Sequence, residues 1–78
     1  MIKKLKLEKY GITQYAMPIR QILSAQMQGD SLVVWVDDAT QDSRIWTFYS
    51  VFTGDTAPDA AYINTVQDRS LVYHIYAS

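Results

Sequence analysis

Apolar and polar positions alternate with a period near two along most of this chain, in short runs. Ile2 to Glu8 alternates loosely, Ile12 to Met17 ends at Pro18, and Leu32 to Val36 reads Leu-Val-Val-Trp-Val. Arg44 to Phe52 is the longest run, and Tyr62 to Gln67 and Leu71 to Tyr76 complete the set. Most are rich in β-branched and aromatic residues, which suit a pleated, half-buried surface. Between them stand turn formers: Gly11, Pro18, Gly29-Asp30, the polar run Asp37 to Ser43, and Thr53 to Asp59. Asp37 to Ser43 reads as a hairpin loop between its flanking strands. Asp68 to Ser70 is short enough to make the last two strands a hairpin. The expectation is one mainly β domain over residues 1–78, a small antiparallel sheet or barrel of six to seven short strands.

Residues 18–28 fit two descriptions. Ile19, Ile22, Leu23 and Met27 fall at helical spacing, with Pro18 suited to a first helical position and Gly29 to the residue past its end. Read as a strand, Leu23, Ala25 and Met27 face one way, and the segment pairs with Leu32 to Val36 across Gln28-Gly29-Asp30-Ser31. The strand is preferred and a short helix is the alternative.

Several runs are apolar on both faces. Leu32, Val34 and Val36 oppose Val33 and Trp35; Trp46, Phe48 and Phe52 oppose Ile45, Tyr49 and Val51; Leu71, Tyr73 and Ile75 oppose Val72, His74 and Tyr76. A chain of 78 residues cannot cover both faces generously. Proteins near this size bury only about 60% of the surface their unfolded chains expose. A second apolar face is therefore expected to meet another subunit or a ligand. With no cysteine to supply disulfides, a homo-oligomer is the expected source of extra stability.

Charge narrows the partners. The net charge is -1, which disfavours duplex nucleic acid, whose affinity comes from neutralising phosphates. Lys3, Lys4, Lys6 and Lys9 read as the solvated face of an edge strand before an anion-binding strip. No apolar run approaches the ~20 residues that span a bilayer, and no apolar stretch follows the N-terminal lysines as in a signal peptide. The expectations are no membrane partner and a cytoplasmic location.

Candidate chemistry is sparse. His74 is the single histidine, so neither a His-rich metal site nor a Cys–His pair can form, and no serine sits in a G-x-S-x-G elbow. It reads as a hydrogen-bonded structural residue first and a ligand contact second. Asp37 and Asp38 are adjacent, point apart on a strand, and read as solvating their loop. No cofactor, no metal and no catalytic residue are expected. Exposed aromatics beside an arginine would offer stacking for a base and a clamp for its phosphate.

In order along the chain, Met17-Pro18, Ile22-Leu23-Ser24, Gln28-Gly29, Trp35 with Val36-Asp37, Phe52-Thr53-Gly54, Tyr62-Ile63, Thr65-Val66-Gln67 and Leu71-Val72 with His74 make up a pattern. In it the chain resembles a family of short uncharacterised proteins of bacteriophages and prophages. It departs from them at Asp37-Asp38-Ala39, where they carry a proline, and at Thr53 to Asp59, which lacks their histidine-proline pair. The resemblance implies a phage setting and a β-rich fold, and it brings no activity with it. The resulting expectation is a phage-encoded, non-enzymatic binding protein acting against host defence. It would sequester a cyclic nucleotide or related immune signal in a pocket between subunits, using Trp35, Arg44, Trp46, Tyr49, Arg69, His74 and Tyr76. The alternatives are an inhibitor or accessory factor that docks on a host defence protein through an exposed aromatic face, or a minor structural phage protein.

Overall fold

The computed structural model describes all 78 residues as seven strands and no helix. They are β1 (Ile2–Leu7), β2 (Gly11–Met17), β3 (Ile19–Gln28), β4 (Ser31–Asp38), β5 (Arg44–Phe52), β6 (Ala61–Asp68) and β7 (Leu71–Ala77). They form two antiparallel sheets, ordered β1-β4-β3 (sheet A) and β2-β5-β7-β6 (sheet B). The sheets pack face to face and do not close, so the sheet expectation holds and the barrel alternative is corrected.

Inner positions of both sheets build the core: Leu5, Leu7, Leu32, Val34 and Val36 from sheet A, and Phe48, Val66, Tyr73 and Ile75 from sheet B. These are the inward sets that the alternation of β4, β5 and β7 predicts. Two connections are two-residue turns, Gly29-Asp30 and Arg69-Ser70. Gly29 (φ 60°) and Arg69 (φ 59°) hold their first positions in the left-handed region. The segment after β4 departs from expectation. It is no hairpin loop, because β4 and β5 belong to different sheets and residues 39–43 carry the chain across.

Residues 19–28 are strand, and the helical alternative is corrected. The register of β3 on β4 slips between Ile19 and Gln21 and again between Ile22 and Ser24. Each bulge adds one residue and so shifts the inward parity by one. Ile19 and Ala25 are thus in the core with Ile22 and Met27 packed against it. A twice-bulged strand spaces its inward residues by three, three and two, and this imitates the spacing of a helix.

Asp37 and Asp38 are also corrected. They close around the N-terminus instead of solvating a loop. The Met1 ammonium lies 3.1 Å from Asp37 Oδ1 and 2.9 Å from Asp38 Oδ1. Lys3 Nζ lies 2.8 Å from Asp38 Oδ2, and the Arg20 guanidinium pairs with Asp37. The Lys3 hydrogen bond, helped by the ammonium, lowers the Asp38 carboxyl to about 2, and Arg20 lowers that of Asp37.

Candidate functional site

The outer face of sheet B is a continuous uncharged surface four strands wide. The register aligns Ile12 with Tyr49, Tyr49 with Tyr76, and Tyr76 with Tyr62, so one apolar row crosses the whole sheet. Ile12 is 60% exposed and Tyr62 57%, while Tyr49 and Tyr76 between them are half-buried. Tyr62 and Tyr76 meet edge to face at 5.5 Å. A second row runs Val51, His74, Thr65, and a third pairs Gln14 with Thr47. No Asp, Glu, Lys or Arg stands on these rows.

His74 is the polar centre of this face. Its Nε2 lies 2.8 Å from Thr53 Oγ1, its Nδ1 3.0 Å from Thr65 Oγ1, and Thr65 Oγ1 lies 2.6 Å from the Tyr62 hydroxyl. A neutral ring donates from one nitrogen and accepts at the other. A hydroxyl does either, so the chain Thr53–His74–Thr65–Tyr62 satisfies each ring nitrogen. Both threonines are exposed. The arrangement fixes the orientation of the imidazole and ties the loop after β5 to the sheet.

That loop, residues 53–60, starts with a tight turn. Asp55 N donates to Phe52 O at 3.1 Å, and Phe52 N donates to Asp55 Oδ2 at 2.9 Å. The Asp55 carboxylate also accepts from Tyr10 and raises its phenol above the ordinary tyrosine range. Val51, Thr53, Ala57, His74 and Tyr76 line a shallow hollow of about 200 Å³ where the loop meets the face.

The seven residues singled out from sequence do not converge. Tyr49, His74 and Tyr76 share the face just described. Trp46 turns inward and packs against the core. Arg44 stacks 3.5 Å over the Trp46 ring and donates to Ile45 O. Trp35 lies on the outer face of sheet A, where its indole donates to Gln26 and Lys4 Nζ stands 6.0 Å from its ring. Arg69 sits on the β6–β7 turn, 3.6 Å from Asp30 on the β3–β4 turn.

Sequence reasoning missed Ile12, Thr53, Tyr62 and Thr65. Thr65 was within reach: a two-residue turn at Arg69-Ser70 sets Asp68 against Leu71, and counting back sets Thr65 against His74. Tyr62 was not, because a register shift between Tyr62 and Asn64 intervenes.

An apolar cavity opens at the seam between the sheets. It holds about 240 Å³ and is lined only by apolar residues, among them Ile22, Leu23, Trp46, Tyr62 and Ile63. No helix is long and apolar enough to cross a membrane. No curated protein and no solved structure matches this chain. A family does match it over residues 1–78, a domain of unknown function (DUF7352), and the chain belongs to that family.

Proposed function

We propose that this protein is a small phage-encoded accessory factor that acts by stoichiometric binding, docking on a partner protein through the outer face of sheet B. One observation carries the reading: the Ile12–Tyr49–Tyr76–Tyr62 row crosses all four strands with no formal charge. Tyrosine is a strong anchor for such contacts because it buries a large ring at little entropic cost and keeps a polar tip. The phage setting rests on the resemblance in sequence, and action against host defence is the role proposed for a small binding protein in that setting.

Sequestration of a nucleotide has less support. Its phosphates need a cation beside the exposed rings. Arg20 pairs with Asp37, Arg44 lies on Trp46, and Arg69 projects from a turn beside Asp30. A second subunit would have to bring an arginine to Tyr49 and Tyr76.

A photo-crosslinking residue placed at Tyr49 tests the docking reading, with the same residue at Lys6 on sheet A as control. The expected result is a discrete adduct from Tyr49 in infected cells, lost in a Tyr76→Lys background and absent from Lys6. Equal labelling at both positions, or none at Tyr49, overturns it.

A further inference from the structure

We infer that β2 is the edge through which two copies of this chain pair, antiparallel and two-fold, into one continuous eight-stranded sheet.

Each sheet ends in two edge strands, and three of the four are blunted. On β1, Lys3, Lys4 and Lys6 place charge along the edge, and in an antiparallel contact between two copies of β1 lysine would meet lysine. β3 and β6 face each other across the seam, each carries a bulge, and the Asn64 side chain bonds to Ala25 across the gap. β2 carries neither lysines nor a bulge, and although its Tyr15 hydroxyl donates to Lys6 O of β1, no side chain bonds to the backbone of β2 itself. Its seven residues, Gly-Ile-Thr-Gln-Tyr-Ala-Met, carry no charge and no proline, and its register on β5 runs from Gly11–Ser50 to Met17–Arg44 without a bulge. Its backbone bonds only to β5, so the alternate N–H and C=O groups on its far side have no partner within the chain. Ile12, Gln14 and Ala16 on its outer side are all exposed.

An open edge of this kind is a template for another strand. The occupant is a second copy because β2 is complementary to itself. Antiparallel pairing about Gln14 sets Ile12 against the partner's Ala16 and Thr13 against the partner's Tyr15, and no like charges meet. A two-fold contact closes after two copies, whereas β2 against β1 of another copy would propagate. The inference goes beyond the docking reading and does not depend on it.

Sedimentation equilibrium of the intact protein, from low to high micromolar, is the test, read together with hydrogen exchange of backbone amides. The expected mass rises from 8.9 kDa to twice that value, and alternate β2 amides gain protection with concentration while β1 amides do not. Gln14→Lys gives β2 the protection that β1 has. At low micromolar concentration, where both proteins are monomers, it should melt with the wild type. It should weaken the dimer about tenfold or more, because the two introduced lysines then meet across the dyad. Tyr76→Lys, central on the same sheet, should leave the dimer intact. A mass fixed at 8.9 kDa overturns the inference, as does growth beyond two copies. A dimer that loses its affinity through Tyr76→Lys, or one whose β2 amides exchange unprotected, overturns it equally.

Discussion

The side-chain amide of Asn64 pairs with both backbone groups of Ala25 and so joins the two sheets where no backbone ladder does. Ala25 N donates to Asn64 Oδ1 at 2.8 Å, and Asn64 Nδ2 donates to Ala25 O at 2.9 Å. The amide thus acts as one peptide unit of a missing strand. The register shift between Tyr62 and Asn64 lies beside it, and redirecting a side chain is a recurrent use of a bulge.

Asn64→Ala should leave the Ala25 N–H and C=O without partners. An unpaired buried polar group costs about 1–3 kcal/mol, so a loss of about 2–3 kcal/mol is expected. In a chain of this size that lowers the melting temperature by roughly 10 °C or more. Asn64→Asp should not restore it, since a carboxylate cannot donate to Ala25 O. Thermal unfolding of both variants checks the claim, and an unchanged midpoint for Asn64→Ala would refute it.

His74→Gln should melt within a few degrees of the wild type. Both threonines that hold the ring are exposed, so water replaces whatever the glutamine cannot reach. The sequence places His74 as a hydrogen-bonded residue, and the structure supplies the partners. A variant that fails to fold would show that the Thr53–His74–Thr65 chain holds the fold together. Circular dichroism on heating decides between the two.

Acid should loosen the N-terminal corner over a defined range. Asp38 has its carboxyl depressed from 3.8 to about 2 in the folded chain. A depressed carboxylate stabilises the fold fully above its unfolded value and loses that contribution as pH falls through the folded one. The loss therefore runs between about pH 4 and pH 2. Asp38→Asn should flatten this limb of the stability–pH curve, as read from denaturant midpoints. Both partners are well exposed to solvent, so raised salt should shrink the effect.

Calorimetry with cyclic dinucleotides should show no binding at micromolar concentration. Stacking on Tyr49 and Tyr76 alone contributes roughly 1–3 kcal/mol per base, and no arginine stands on that face to hold the phosphates. Micromolar binding by the folded protein would restore the sequestration reading and would require an arginine from a second subunit.

Phe48→Ala should cost about 3–5 kcal/mol, the usual range for emptying a buried aromatic site. Phe48 is 1% exposed at the centre of the core. Loss of a cooperative unfolding transition is the expected result.

What the sequence determined by itself is local in origin. Alternation marks every strand except β3, and the short connection at Asp68 to Ser70 marks β6 and β7 as a hairpin, which the structure closes with a two-residue turn at Arg69-Ser70. The opposed faces of β4, β5 and β7 follow from a period of two, which needs only the residues themselves. The tertiary structure decided what depends on distant chain. Bulges in β3 arise against β4 and disguise a strand as a helix. Asp37 and Asp38, adjacent in sequence, both reach Met1 because β1 lies beside β4. The seven candidate site residues divide among two sheets, the core and a turn. Composition can show that aromatics and arginines are present, but which of them share a face is set by strand order, and strand order is chosen by the packing of the whole chain.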